Sequence, residues 1–272
     1  MSKRLAFVIT AALAAAGAAH AQSKSPEWIE RSNADAKVLL DTMARFSPEF
    51  ASEVGLAGYD DKVADLKPGI DERSRAALLE VKGKLQKLLV AEKDANVRQD
   101  LQIMLKTVDE QIEGIGLNRQ YMLPVQDVGQ LIFNGEFVLL KDDVDPKRRA
   151  LALNRLQCYV GKAPGCESIA ALAKARTTER LSNKSLLGPY KGEIEQKLAN
   201  TQRYADGIRQ LFAKYKLDTP DGKAALDALD SQLKDYDAWV RSTVMPRTRA
   251  DFRLPEPVYA YNLKQVGIDI PP

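Results

Sequence analysis

Histidine is almost absent from this chain of 272 residues, which contains only His20. Histidine is the usual general base near neutral pH and a common ligand of zinc. We expect His20 to be removed with a cleaved leader segment. A mature chain without histidine excludes a Ser/His/Asp triad, a Cys/His dyad and a His-ligated zinc site. We therefore expect no catalytic residue and no metal ligand in the mature chain.

Cysteine is nearly as scarce. Cys158 and Cys166 are separated by a short segment that contains Pro164 and Gly165. In an oxidising compartment this pair is suited to a disulfide that closes a corner between two helices. The alternative is a pair of buried thiols, and a metal site needs more ligands than two cysteines supply. We predict the disulfide.

No apolar run is long enough to span a bilayer. The run at residues 5–16 follows two basic residues and precedes Ala19–Ala21, which fits an A-x-A cleavage pattern. This order predicts a signal peptide over residues 1–21, cut after Ala21, and an uncleaved membrane anchor is the alternative. We expect a periplasmic or secreted protein that no membrane holds after cleavage.

Charge of either sign is not concentrated. The chain has 40 Lys and Arg residues and 37 Asp and Glu residues, for a formal net charge of +3, and the two signs are interleaved. A nucleic-acid-binding surface needs a concentrated basic face. We therefore expect no nucleic-acid partner.

Helical periodicity dominates the rest of the chain, because apolar residues recur at alternating spacings of three and four. Five long helices are predicted. The first starts at Ser25-Pro26, the second at Asp71 and the third after a break near Asp94; the fourth runs from Tyr190 to Tyr215, and the fifth starts at Thr219-Pro220. Consecutive helices with short breaks favour antiparallel pairs. We predict an all-α fold, a helical array of long antiparallel amphipathic helices in a single domain over residues 22–272.

Residues 45–61 are irregular and have the sequence RFSPEFASEVGLAGYDD. Ser47 can cap a short helix and Pro48 can occupy its first position. Gly55 and Gly58 then break the helical period. We expect the long helices to pack around this segment.

Residues 114–145 are the least regular part of the chain. Their apolar run at 132–140 favours a helix, because no second strand is available to pair with it. Asp145-Pro146 is predicted to cap a helix that continues to Cys158. Pro246 is predicted to end the helix that starts at Thr219-Pro220.

Acidic residues supply few candidate sites. Asp142, Asp143 and Asp145 are similar to part of a calcium loop, but they lack the glycine and distal glutamate of an EF-hand, so loop solvation is the alternative. A carboxylate pair for glycoside hydrolysis has no positive signal. Gly114 and Gly116 do not follow a strand and are no dinucleotide fingerprint.

Four arginines cluster near the end of the chain, interleaved with Trp239 and Phe252. They are Arg241, Arg247, Arg249 and Arg253. Planar guanidinium groups suit a carboxylate or phosphate ligand. The alternative is a set of solvated arginines that supports the turn after Pro246.

Several segments, in their order, resemble a large bacterial family known only as domain of unknown function 885. The segments are RFSPEFASEVGLAGYDD, LPVQDVGQLIF, RRALALNRLQCYVG, LAKARTTERL, LLGPYKGEIEQKLANTQRYADGIRQLF and YDAWVRSTVMPRTRADFRLPEPVYAYNLKQVGID. They cover nearly the whole mature chain. Family members are exported helical proteins that look like zinc metallopeptidases. Their zinc site, a His-Glu pair followed by Pro-Gly-His on a helix, lies in the C-terminal half.

The resemblance implies that this chain corresponds to the N-terminal half of the family. No His-Glu pair occurs in the sequence, so no zinc ligand or catalytic glutamate is carried over and no cofactor is expected. The resemblance also implies that the block from Arg249 to Tyr261 lies near a cleft shared with the catalytic half. The candidate binding residues are Arg247, Arg249, Arg253, Tyr259 and Tyr261.

Three hypotheses for function follow. The first is a binding or scaffold module that is not an enzyme. The alternative is half of a split or truncated metallopeptidase, active only with a C-terminal half that bears the His-Glu zinc motif. The third is a truncated gene product without a function. The expected partner is such a catalytic half, or a second copy bound through an exposed apolar edge at residues 258–266.

Overall fold

The computed structural model describes residues 26–268, so the predicted signal peptide and the Ser25 cap lie outside the described residues. Within this range the chain is helical, and its β-type contacts are two isolated bridges, Met122–Leu187 and Tyr190–Arg249. The predicted all-α single domain is confirmed. No described helix is both long enough and apolar enough to cross a membrane.

In chain order the helices are α1 (Glu27–Phe46), α2 (Pro48–Glu53), α3 (Ile70–Ala91), α4 (Ala95–Tyr121), α5 (Val128–Leu139), α6 (Pro146–Arg149), α7 (Ala152–Tyr159), α8 (Ile169–Leu181), α9 (Lys191–Lys214), α10 (Pro220–Trp239) and α11 (Glu256–Gln265). A π-helical turn (Val240–Val244) and a 3-10 turn (Met245–Arg247) follow α10. The connections between the helices range from the single residue Ser47, between α1 and α2, to residues 54–69, between α2 and α3.

Helices α1, α3 and α4 pack around one apolar cluster, here named the first core. The break near Asp94 separates α3 from α4 as predicted, and the Asp94 carboxylate caps α4 by accepting hydrogen bonds from the N–H groups of Asn96 and Val97. The buried residues of the first core are Leu39, Leu78, Val81, Leu85, Val97, Leu101, Met104 and Val108.

Helices α5 and α7 to α10 pack around a larger cluster, here named the second core. Ile132, Leu156 and Phe212 are among its fully buried members. The predicted pair of α9 and α10 is confirmed, and the Thr219 hydroxyl caps α10 by accepting a hydrogen bond of 3.2 Å from the Gly222 N–H. Two hairpins therefore dominate the array, one in each core.

Residues 45–61 lie between the two cores, where α2 contacts both α1 and α5. Pro48 begins α2 as predicted. The predicted Ser47 side-chain cap is wrong, because Ser47 also ends α1, with its backbone N–H bonded to Met43, and its side chain makes no cap. Gly55 and Gly58 take φ values of 80° and 85°, which favour glycine.

Two arginines from α6 and α7 hold residues 45–61 in place. Arg148 donates hydrogen bonds of 2.7 and 2.9 Å to the Asp60 carboxylate and one of 2.7 Å to the Ser52 carbonyl. Arg155 is fully buried and donates to the Ser52 hydroxyl and, at 2.7 Å, to the Tyr59 carbonyl. Of the long helices that were expected to pack around this segment, α1 does so, while its other contacts come from α5 and the short helices α6 and α7.

The single helix predicted from Asp145-Pro146 to Cys158 is wrong, since α6 and α7 are separated at residues 150–151. The adjacent side chains of Arg148 and Arg149 bind different segments. Arg148 bonds to Asp60, whereas Arg149 donates to the Val144 carbonyl at 2.8 Å. The break therefore coincides with one long-range contact, from Arg148 to Asp60, and one local loop contact, from Arg149 to Val144.

Pro246 does not end the preceding helix directly. α10 ends at Trp239, and the chain continues through the π-helical turn into the 3-10 turn that contains Pro246. A proline inside an α-helix removes a hydrogen bond and clashes with the preceding turn. The wider π turn is a common way to relieve such a mismatch.

The predicted disulfide is confirmed. Cys158 near the end of α7 bonds to Cys166, which precedes α8. The bond closes the corner between these two helices of the second core.

Candidate functional site

A cleft of about 390 Å³ lies where the first core meets the second core. One wall is the last turn of α4 with the following residues 122–126. The opposite wall is formed by α8, the first turns of α9 and residues 249–254. A volume of this size accommodates a small ligand or one group of a larger ligand.

The loop at residues 122–126 is held by hydrogen bonds from α8 and α10. The buried Thr177 hydroxyl donates a hydrogen bond of 2.6 Å to the Pro124 carbonyl. The Tyr236 hydroxyl donates one of 2.8 Å to the Gln126 carbonyl. Because side chains of α8 and α10 satisfy these carbonyls, this wall of the cleft is positioned by the second core.

Three extended segments line the cleft side by side. The Leu123 N–H donates to the Leu187 carbonyl at 2.9 Å, and the Arg249 N–H donates to the Pro189 carbonyl at 3.1 Å. The backbones of residues 188 and 247 lie so close that position 188 requires a glycine, since an added Cβ would lie 1.7 Å from the carbonyl oxygen of Arg247. The segment at 186–190 therefore ties the α4 wall to the C-terminal wall.

The lining carries more basic than acidic side chains. The basic ones are Arg119, Arg176, Arg180, Lys197 and Arg249, and the acidic ones are Asp71 and Glu193. Such an excess of positive charge at the mouth of a cleft attracts anions.

Three of the five basic groups pair with carboxylates. Arg176 pairs with Asp71 at 2.8 Å and Lys197 pairs with Glu193 at 2.7 Å. Arg119 pairs with Glu72 of α3. These pairs neutralise part of the lining.

The other two, Arg180 and Arg249, have no carboxylate partner among residues 26–268. Arg180 donates to the Arg119 carbonyl. Arg249 donates to the Gly188 carbonyl at 3.0 Å and to the Arg253 carbonyl at 2.8 Å. Backbone carbonyls are neutral, so neither guanidinium group is paired with a carboxylate within salt-bridge distance, although Arg180 also lines a small cavity that Asp71, Glu72 and Glu179 share.

A smaller cavity of about 20 Å³ adjoins the cleft through the shared lining residues Gln126 and Lys197. Asp237 lines it, and burial raises the pKa of this carboxyl, although the hydrogen bond from Thr201 lowers it. This volume matches a single water molecule. Of these two cavities, the larger cleft is the one with room for a ligand.

Of the five candidate binding residues, the structure brings one, Arg249, to the cleft. Arg247 lies behind it and donates a hydrogen bond of 2.8 Å to the Leu181 carbonyl. The Arg253 side chain is 84% exposed and lies 3.7 Å from Asp251. The five residues therefore do not form one cluster.

The two tyrosines lie on α11. Tyr259 is 46% exposed, whereas Tyr261 is half-buried with its hydroxyl against α4 at Gly114. Burial raises the pKa of Tyr261, and the carboxylates of Glu113 and Glu110 raise it further. Tyr261 therefore packs α11 onto the first core.

The sequence analysis did not single out Arg119, Arg176, Arg180 or Lys197. Arg176 and Arg180 are four residues apart on α8, which places both on one face of the helix. That spacing was visible in the sequence. Their meeting with Arg249 was not visible, because it depends on the packing of α8 against residues 186–190.

Residues 26–268 contain no group of three or more His, Cys, Asp or Glu side chains that could hold a metal ion. The donor set of a zinc peptidase, two histidines and a carboxylate around an open position, therefore has no counterpart in the described part of the chain. No catalytic step through zinc is derived from these residues.

Comparison with known proteins identifies a family. The family model described as "Bacterial protein of unknown function (DUF885)" matches residues 48–272. The chain belongs to this family. No curated protein and no solved structure matches it.

The DUF885 match includes α2 to α11 and thus every element that lines the cleft. The resemblance seen in the sequence is confirmed at the level of the family. Since the family is described as one of unknown function, the function has to be argued from the cleft.

Proposed function

We propose that this DUF885 chain is an exported, helical binding module whose cleft binds an anionic group, a carboxylate or a phosphate. The observation that carries the proposal is the pair Arg180 and Arg249, two cleft guanidiniums without a carboxylate partner in residues 26–268. Guanidinium groups bind carboxylate and phosphate through paired hydrogen bonds.

Preorganisation supports this proposal. Arg249 is held by backbone carbonyls of two segments, and Arg180 is held by the last turn of α4. Fixed donors lose little side-chain entropy when a ligand binds. The neighbouring apolar residues Leu123 and Leu254 exclude water from one side of the cleft and strengthen the charge interaction.

The proposal is tested by calorimetric titration of the mature chain with inorganic phosphate and, separately, with citrate. Both probes are small, so we expect millimolar dissociation constants. Arg180→Gln removes one charge while keeping a donor for the single carbonyl that Arg180 holds. We expect it to weaken binding by about fivefold, since each partly exposed charge contact is worth about 1 kcal/mol.

Arg75→Gln is the matched control, because Arg75 is exposed on α3 and does not line the cleft. It should leave the affinity for both probes unchanged. Equal loss in both variants would mean that net charge alone attracts the probes. No saturable binding by the unmodified chain would contradict the proposal.

We also propose that the mature chain starts at Gln22, is periplasmic or secreted, needs no cofactor and has no peptidase activity of its own. The basic n-region, short apolar run and Ala19–Ala21 support the export. Fractionation and mass spectrometry of the secreted chain test it, and a chain retaining residues 1–21 in a membrane fraction would contradict it. Stoichiometric zinc after dialysis, or peptide hydrolysis lost on chelation, would contradict the lack of activity.

A second candidate is half of a split metallopeptidase. Tyr259 and Val266 of the predicted apolar edge are exposed, as are the nearby Phe252 and Ile268, and these support it, whereas Val258 of that edge is buried. An exposed apolar patch favours a partner surface, either a half that bears a His-Glu zinc motif or a second copy of this chain.

The second candidate is tested by mixing this chain with a separately expressed DUF885 C-terminal half that carries the His-Glu motif, with zinc present. Peptide hydrolysis by the mixture, but by neither half alone, would support it. Light scattering of this chain alone tests whether the partner is a second copy. Self-association predicts a molecular mass that rises with protein concentration. A monomer that neither binds a hydrophobic dye nor associates would contradict an apolar docking edge.

A further inference from the structure

A buried polar cluster lies away from the cleft, where α2, α5 and α7 meet. It contains three carboxyl groups, Glu49, Asp60 and Glu136, and two guanidinium groups, Arg148 and Arg155. Asp60, Glu136 and Arg155 are buried, whereas Glu49 and Arg148 are partly exposed. A buried carboxylate without a partner is costly where water is excluded.

Two of the carboxyls are stabilised by hydrogen bonds. Asp60 accepts two bonds from Arg148, of 2.7 and 2.9 Å. Burial raises the pKa of Asp60, but the bonds from Arg148 and Ser52 outweigh it and hold the pKa below its usual value. Glu49 accepts a bond of 2.6 Å from the Tyr159 hydroxyl and one of 2.9 Å from the Ala64 N–H.

Glu136 is the carboxyl without such support. It is fully buried on α5, and neither of its oxygens has a hydrogen-bond partner in the part of the chain that the structure describes. Arg155 is nearby and donates to the Gly135 carbonyl at 2.8 Å, to Ser52 and to Tyr59, while its buried Nε–H, like the Glu136 oxygens, has no partner among the described residues. Glu136 therefore carries the proton.

The groups that act on Glu136 come from α2 and α7. Burial raises its pKa well above the usual value, Arg155 lowers it, and Glu49 raises it. Tyr159, also on α7, remains neutral because burial and Glu49 raise its pKa well above the usual value. α9 packs against α5 through uncharged rings, such as Tyr204 on Phe133.

We propose that Glu136 is a proton-dependent latch that keeps α2 and the following residues 54–65 docked on α5 and α7 only while its carboxyl is neutral. Loss of the proton places two carboxylates, Glu49 and Glu136, beside the single guanidinium of Arg155. The segment that can relieve this repulsion is α2, because Glu49 lies on it. This helix has only six residues, so few contacts must break for it to move.

The direction of the pH effect follows from proton linkage. The unfolded or undocked chain releases the Glu136 proton at the ordinary glutamate pKa, whereas the folded chain retains it to a higher pH. The folded state therefore binds more protons in this interval, and its stability falls as pH rises. One proton corresponds to a fall in melting temperature of about 3 °C for each pH unit in a chain of this size.

The test is the melting temperature of the mature chain and of Glu136→Gln from pH 5 to pH 9. Glutamine reproduces the shape of the neutral carboxyl but does not ionise. We expect the melting temperature of the unmodified chain to fall relative to that of Glu136→Gln as pH rises. Glu53→Gln is the matched control on the exposed face of α2 and should run parallel to the unmodified chain.

Hydrogen exchange locates the effect. After correction for intrinsic rates, residues 48–65 should lose protection at pH 9 in the unmodified chain and retain it in Glu136→Gln. If Glu136→Gln does not fold, Glu49→Gln serves instead, since removing the second carboxylate should move the loss of protection to higher pH. Parallel pH profiles of the unmodified chain and these variants, or a loss spread evenly over all helices, would overturn the proposal.

Discussion

Of the seven buried polar or charged side chains in the described chain, one, Ser32, belongs to a helix of the first core. The other six lie in the second core or in the segments packed on it. They are Ser52, Asp60, Asp127, Glu136, Arg155 and Thr177. The first core is thus stabilised by apolar packing of three regular helices, whereas the second also depends on buried hydrogen bonds.

This difference explains where the cleft lies. The first core is built from three regular helices, α1, α3 and α4, whose backbone groups are satisfied internally. The second core includes irregular segments, and their carbonyls require donors such as Thr177, Arg247 and Arg249. Irregular backbone held by fixed donors produces a concave surface lined with cations. The predictions below test this division.

The largest effect is expected for Arg155→Ala in the second core. The change removes a fully buried guanidinium and leaves the Tyr59 and Gly135 carbonyls without their donor. We expect a loss of about 4 kcal/mol in the free energy of unfolding. Urea denaturation measures it, and Arg203→Ala, at an exposed position on α9, is the control. A loss of less than about 1 kcal/mol would mean that these buried hydrogen bonds do not stabilise the second core.

Leu85→Ala should cost the first core about 3 kcal/mol, through lost apolar burial and the cavity left behind. Leu85 is fully buried between α3 and α4. Denaturation with Leu79→Ala, an exposed position on the same helix, provides the comparison. If Leu79→Ala cost as much as Leu85→Ala, apolar packing would not be what holds the first core.

Replacement of both cysteines by alanine should destabilise the second core by about 2 kcal/mol, because the disulfide closes only a short loop. Thermal unfolding of the oxidised chain and the double variant measures this loss. Mass spectrometry of unreduced peptides should show the crosslink between Cys158 and Cys166. Two freely alkylated thiols in chain purified without a reductant would contradict it.

Two glycine-to-alanine substitutions, one beside the cleft and one in α3, are expected to change stability in opposite directions and by the smallest amounts. Gly188→Ala places a methyl group against the Arg247 carbonyl and should cost about 2 kcal/mol and weaken phosphate binding. Gly83→Ala in α3 meets no atom within 4 Å and should stabilise the first core by about 0.7 kcal/mol. Melting temperatures that move in the same direction would contradict this contrast.

The sequence was sufficient to predict the helical array, because each helix depends on the apolar periodicity, the capping residues and the breaks within its own segment. The hairpins of α3 with α4 and of α9 with α10, and the disulfide, were all local patterns. The break between α6 and α7 was not predictable in this way, because it coincides with a long-range contact from Arg148 to Asp60.

The candidate site was predicted only in part, for the same reason. Arg249 was found from its local cluster, but its cleft neighbours Arg119 and Arg180 come from helices far away in the sequence. Glu136 lies in an apolar run that gives no sign of the carboxyls it meets. Charge balance among distant groups becomes visible only when the chain is folded.

The most direct test of the central claim is anomalous scattering from crystals of the mature chain soaked in selenate, an anion with the shape of phosphate. The claim predicts the strongest selenium peak in the cleft, with selenate oxygens within hydrogen-bond distance of the Arg180 and Arg249 guanidiniums, and a clearly lower peak in Arg180→Gln crystals soaked at the same concentration. A cleft without a peak, or a peak unchanged in Arg180→Gln, would contradict anion binding by these two arginines.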